Sequence, residues 1–153
     1  MSSLSIITYE DRFQPMFKSL NLEWLEQFNL LEERDLVALN NPRKTILEEG
    51  GIIYLAVVED LVVGSAAVIC EHGEYELAKM AVDKAYRGKG ISKLLLDQCL
   101  AFAKAKGASR IMLYSNSQLT SALALYKRYG FKEIILQNSP FQTADIKMEL
   151  KLV

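Results

Sequence analysis

Six residues in the middle of the chain, Arg87-Gly88-Lys89-Gly90-Ile91-Ser92, set two basic side chains among two glycines, directly before a run with apolar residues at helical spacing. These residue types make an anion site. The first turn of a helix carries backbone N–H groups without intrahelical partners and the positive end of the helix dipole. A phosphate can therefore be held largely by main chain. Gly88 and Gly90 permit positive φ and keep Cβ atoms away from the anion. The segment before the loop, Tyr75–Val82, is β-prone and carries the acid Glu76. Two familiar phosphate motifs do not fit. Lys93 stands where a dinucleotide fingerprint needs its third glycine, and no stretch matches Gly-x-x-x-x-Gly-Lys-Ser/Thr.

The elements that must position this loop follow from apolar periodicity. Leu4–Tyr9 reads as a strand. Arg12–Phe28 reads as a helix with Phe13, Met16, Phe17, Leu20, Trp24, Leu25 and Phe28 at mostly helical spacings. A second helix covers Glu32–Leu39 and stops at Asn40-Asn41-Pro42, with a further turn at Thr45–Glu48. Ile52–Val58 and Leu61–Cys70 make a hairpin about Glu59-Asp60, and Glu71-His72-Gly73 turns the chain into Tyr75–Val82. The glycine loop then opens a helix from Ile91 to about Lys106, stopped by Gly107. Ala108–Ser115 follows as a strand, so strand, helix and strand in succession predict a right-handed parallel crossover. Leu119, Ala122, Leu123 and Tyr126 mark another helix, ended by Gly130. Phe131–Leu136 and Asp145–Val153 are strands, and Gln137–Thr143 between them is a loop. The predicted order, β-α-α-β-β-β-α-β-α-β-β, describes a mixed α/β sheet with helices packed on it.

With 153 residues, half of them hydrophobic, the chain suits one domain over residues 1–153 with a substantial core. A formal net charge of -1 gives no case for general nucleic-acid binding. The amino terminus lacks the pattern of a leader, and no apolar run reaches the roughly 20 residues that span a bilayer, so a cytoplasmic protein with no membrane partner is expected. Cys70 and Cys99 are expected to be buried free thiols, and His72 an exposed turn residue; neither suggests a metal site. Glu23, Glu26, Glu32, Glu33 and Asp35 read as a solvated helix face or, alternatively, as a lip that draws in a cationic substrate.

Arg87, Gly90 and Ser92 resemble the acyl-CoA signature Arg/Gln-x-x-Gly-x-Gly/Ala of the GCN5-related N-acetyltransferases, with serine in place of the last glycine or alanine. Asn116 and Leu125-Tyr126-Lys127-Arg128-Tyr129-Gly130-Phe131 resemble a second element of that family, and the order of elements matches over the whole chain. The resemblance implies a single-domain, largely antiparallel mixed sheet with two splayed central parallel strands and flanking helices. It also implies an acetyl-CoA-dependent N-acetyltransferase without a metal. The cofactor pyrophosphate would lie on Arg87, Gly88, Lys89, Gly90, Ile91 and Ser92, and its pantetheine arm along Met80, Ala81 and Val82.

The reaction so implied is direct attack of a neutral amine on the thioester. An alkylamine with a pKa of about 10.4 is mostly protonated at neutral pH, so a base is required. By family position Glu76 is the candidate base, the alternative being an ion pair with a neighbouring Lys or Arg. Tyr126 is the candidate acid for the leaving thiolate, the alternative being a core residue on its apolar helix face. Asn116 is read either as a cofactor ligand or as a turn residue. The acceptor is a primary amine of a small molecule or peptide, with the N-terminal helices and the Gln137–Thr143 loop on its side. Exposed C-terminal strands offer an edge for a homodimer. A non-catalytic acyl-CoA-binding module is the competing reading.

Overall fold

The computed structural model describes residues 3–153; Met1 and Ser2, at the start of the stretch read for a leader, lie outside the described residues. The strands are β1 (Leu4–Thr8), β2 (Ile52–Val58), β3 (Leu61–Glu71), β4 (Glu74–Val82), β5 (Arg110–Ser115), β6 (Lys132–Ile134) and β7 (Ile146–Lys151). The helices are α1 (Gln14–Gln27), α2 (Glu33–Asn40), α3 (Ile91–Ala105) and α4 (Thr120–Arg128). The turn expected at Thr45–Glu48 begins earlier, at Arg43–Leu47, because Pro42 already has helical φ and ψ and starts it.

All seven strands form one sheet in the order β1-β2-β3-β4-β5-β7-β6. Every neighbouring pair is antiparallel except β4 and β5, which are parallel and joined through α3. Among the described residues these two register at one pair, Glu76 with Met112. Beyond it they diverge, and no residue from Leu77 to Val82 registers with β5. The sheet is therefore splayed at its centre. The C-terminal strand β7, read as exposed, is flanked on both sides by β5 and β6; the edge there is the three-residue β6.

Apolar residues fill both faces of the sheet. On one, Leu95, Leu96 and Cys99 of α3 pack on Ala66, Val68, Leu77, Ile111 and Leu113. On the other, Phe13, Phe17, Leu25, Leu39 and Ile46 pack on Ile53, Leu55 and Ala67. Gly64 sets how closely the start of α3 lies on β3, since a Cβ there would stand 3.0 Å from Ile91 Cγ2 and 3.1 Å from Leu95 Cδ1. Cys99 is buried as expected, whereas Cys70 near the end of β3 is only partly so.

One irregularity in β4 positions the site. The β3–β4 register steps from Ser65–Ala81 to Ala67–Ala78, so the strand bulges, and Lys79 within the bulge has φ of 54°. Buried hydrogen bonds hold this left-handed residue. Ser65 Oγ donates to the Lys79 carbonyl at 2.6 Å, and Asn21 Nδ2 donates to Ser65 Oγ at 3.1 Å and to the Phe17 carbonyl at 3.0 Å. Trp24 Nε1 donates to Asn21 Oδ1 at 3.2 Å. Helix α1 thus fixes the shape of β4 through satisfied polar groups in the core.

Candidate active site

The divergence of β4 from β5 opens a cleft of about 580 Å³. Met80, Ala81, Val82, Arg87, Gly88, Gly90, Ile91 and Ser92 line it on one side, and Leu113, Tyr114, Ser115 and Tyr126 on the other. Gly88 and Gly90 have φ of 77° and 81°, the left-handed region that the loop reading required. Gly90 precedes the first turn of α3 and no side chain caps that turn, so its N–H groups are left for a ligand. Arg87 Nε donates to the Val82 carbonyl at 3.2 Å, which ties the loop to the end of β4 and occupies that carbonyl. Lys89 is absent from the lining, and its ammonium lies 5.6 Å from the centre of the Tyr86 ring.

Glu76 stands at the neck, where β4 and β5 last register, and is 7% exposed. Its carboxylate makes no hydrogen bond or ion pair with another described residue; it lines both a small central pocket and a groove on the α2 side of the sheet. Burial pushes the carboxyl up to about 7 from an ordinary 4.5, against the opposing pull of Lys79 and Arg34.

Lys79 was not singled out by sequence. A regular strand would turn its side chain away from that of Glu76, three residues earlier; the left-handed bulge brings both to the α2 side. Its Nζ lies 2.8 Å from Asp35 Oδ1, with only 6% and 5% of the two side chains exposed. Asp35 Oδ2 meanwhile accepts the Glu32 N–H at 3.0 Å, as the third helical residue of a capping box on α2. Asp35 is thus not part of a solvated face. Glu32 is not either: it accepts from the Gln142 N–H at 3.1 Å, the Thr143 N–H at 2.9 Å and the Thr143 hydroxyl. Burial opposes its ionisation, but these hydrogen bonds prevail and hold the carboxyl below its ordinary value.

Tyr126 is buried with its ring centroid 5.7 Å from that of Phe131, yet it lines the cleft, and its hydroxyl bonds to no described residue. Desolvation raises its pKa, so the phenol keeps its proton. Asn116 makes the contacts of a turn residue, the second of its two readings. Its Nδ2 donates to the Thr143 carbonyl at 2.8 Å, tying the Gln137–Thr143 loop to the end of β5, and its Oδ1 accepts the Gln118 N–H at 2.9 Å in the local turn before α4. Tyr129 donates to Asp97 Oδ1 at 2.8 Å and links the end of α4 to α3. His72 is exposed in its turn.

A central sheet opened between its parallel strands, an uncapped helix start at one edge of the opening and a buried carboxylate at its neck are the marks of an acyl-CoA-dependent transferase fold. Residues 49–133 match the family described as acetyltransferase (GNAT) domain, and the chain belongs to that family. An acetyltransferase of the GNAT family from Staphylococcus aureus Mu50 superposes with a TM-score of 0.90 at 26% identity, covering 99% of this chain and 100% of that one. The PaiA N-acetyltransferase of Thermoplasma acidophilum, solved with coenzyme A, shares the fold at a TM-score of 0.75 and 18% identity, over 97% and 99% of the two chains. Among curated proteins, N-acetylaspartate synthetase of Xenopus tropicalis is 38% identical over 89 residues, 57% of this chain and 33% of that protein. Human N-acetyltransferase 8B is 32% identical over 97 residues, 59% and 43% of the two. The matches thus span about a third to two-fifths of those relatives.

Proposed function

We propose that residues 1–153 act as one acetyl-CoA-dependent N-acetyltransferase domain on a primary amine, by direct transfer. The observation that carries this reading is Glu76, a buried carboxylate without a protein partner that stands where β4 and β5 last register and lines both the small central pocket and the α2-side groove. The left-handed glycine loop, the uncapped start of α3 and the stretch Leu77–Val82, which pairs with β3 but does not register with β5, suit a pyrophosphate followed by an extended amide-bearing arm. Acetyl-CoA supplies the activated acyl group. Met80, Ala81 and Val82 orient the arm through main chain, while Arg87, Gly88, Gly90, Ile91 and Ser92 hold the phosphates.

Glu76 takes a proton from the incoming ammonium, directly or through water. A carboxyl poised at about 7 is partly ionised at neutral pH and is a stronger base than a free glutamate. The freed amine attacks the thioester carbonyl carbon; a C–N bond forms, the C–S bond breaks with its electron pair leaving on sulfur, and the proton lost from the attacking nitrogen ends on that sulfur to give the amide and free thiol. Tyr126 donates a hydrogen bond to that sulfur. Its raised pKa supports stabilisation of the thiolate over complete proton transfer, because a thiol of pKa about 8.5 is the stronger acid. Asn116, Glu32 and Thr143 shape the acceptor wall.

The test is a panel of primary amines with acetyl-CoA, followed by thiol release, for the wild type and Glu76→Gln. Turnover that falls in the variant by 100-fold or more, roughly the worth of a general base, supports the reading. A protein that acetyl-CoA stabilises thermally but that acetylates no amine is the binding module instead.

A further inference from the structure

The groove on the α2 side, about 780 Å³, runs from Glu76 along a wall that includes Val37, Ile46 and Ile69. Its charges are unevenly matched. Each cation on it is already paired: Lys79 with Asp35 at 2.8 Å, and Arg34 with Glu71 at 2.7 Å. His72 stands 3.6 Å from the other oxygen of Glu71. Three lining carboxylates, Glu76, Glu33 and Glu49, have no ion-pair partner among the described residues, and Glu76 is more than nine-tenths buried with its carboxylate open to the groove. The groove therefore offers one deep anion, two exposed anions and apolar wall, with no cation free to receive a carboxylate.

On the basis of the transferase reading above, we infer that the acceptor is an elongated aliphatic diamine. One amino group sits at Glu76 for acetylation, the methylene spacer lies on the apolar wall, and the second, cationic group is held by Glu33 and Glu49. The paired state of the two cations matters as much as the unpaired acids. A free Lys79 ammonium beside Glu76 would repel an incoming ammonium, and Asp35 neutralises it. Neutralising the reacting amine inside the groove leaves the distal charge to supply orientation, so the second ammonium contributes to binding while the first is consumed.

The experiment compares kcat/KM for 1,4-diaminobutane and 1,5-diaminopentane with that for n-butylamine, n-pentylamine and L-aspartate. Measurements are made at pH 8, at low and high sodium chloride, in the wild type and in the double variant Glu33→Gln, Glu49→Gln. Both positions are exposed, so the variant is expected to fold, and its melting temperature checks this. The diamines are expected to exceed the monoamines by about fivefold or more at low salt, with the ratio shrinking as salt is added. The double variant is expected to lower that ratio by about fivefold. Monoamines or aspartate used as well as the diamines, or a ratio untouched by the double variant, would overturn the diamine assignment while leaving the transferase reading standing. Turnover of no amine at all, with acetyl-CoA still raising the melting temperature, overturns both.

Discussion

The Lys79 ammonium meets the Asp35 carboxylate at 2.8 Å beneath the surface, beside Glu76, and the same carboxylate caps helix α2. One side chain therefore couples the position of α2 to the charge around the proposed base. Asp35→Asn leaves a buried ammonium without its counter-charge, and a loss of about 3–5 kcal/mol in unfolding free energy is expected by denaturant titration. The double change Asp35→Asn, Lys79→Met removes both charges and is expected to recover much of that loss. In any fraction of Asp35→Asn that folds, Lys79 bears on Glu76 unopposed, so the acid limb of the pH–rate profile is expected to move to lower pH. An unmoved limb would show that the pair does not act on the base.

Glu76 itself lowers stability where it is ionised. Its carboxyl titrates at about 7 in the folded chain against 4.5 ordinarily, so between these values the native state holds a proton that the unfolded chain has released. Stability must then fall as pH rises through that window and stay lowered above it. Glu76→Gln is expected to be inactive yet more stable than wild type at pH 8, by something on the order of 2–3 kcal/mol, with the difference vanishing near pH 4.5. Melting curves at several pH values test this; equal melting temperatures at pH 8 would mean that the carboxylate is solvated.

Tyr126→Phe keeps the ring against Phe131 and removes only the hydroxyl. A drop in kcat of about 10- to 100-fold with nearly unchanged acetyl-CoA affinity is expected. If turnover is unaffected, Tyr126 is a core residue alone.

Gly90→Glu puts a side chain at φ of 81° and an anion at the start of α3. No protein atom obstructs a Cβ there, so the fold is expected to survive with a modest loss. Acetyl-CoA binding, measured by calorimetry, is expected to weaken by 100-fold or more. Retained affinity would move the pyrophosphate elsewhere.

Glu32→Ala releases the Gln142 and Thr143 N–H groups together. Its expected signature is a raised KM for the amine with the acetyl-CoA dissociation constant unaltered, because the tether lies on the acceptor side only. Parallel changes in both constants would contradict that division.

What could be read from the residues alone was what is local. The loop Arg87–Ser92 carries its own conformation in two glycines and lies next to the helix it starts, so spacing revealed it. The alternating pattern of Ile146–Lys151 likewise announced a strand. Lys79 escaped because period-two reasoning places it away from Glu76, and only the bulge, set by Ser65 and Asn21 far off in sequence, turns it back. Glu32 and Asp35 escaped because their partners stand 111 and 44 residues away. Asn116, read as cofactor ligand or turn residue, shows how a motif letter leaves the partner open: its Nδ2 holds Thr143, 27 residues away, and its Oδ1 the local turn at Gln118.

The long separation between Glu32 and Thr143 also has a kinetic side. One side of the cleft is built by neighbours in sequence, from Met80 to Ser92, whereas the 137–143 loop is tied to Glu32 by a few hydrogen bonds across more than a hundred residues, a closure expected to form late in folding. Such exposed loop contacts are expected to open more readily than the sheet. Amide exchange at Gln142 and Thr143 is expected to run ahead of exchange in β4, so that the 137–143 loop opens while the sheet beneath it stays folded; equal rates would contradict this.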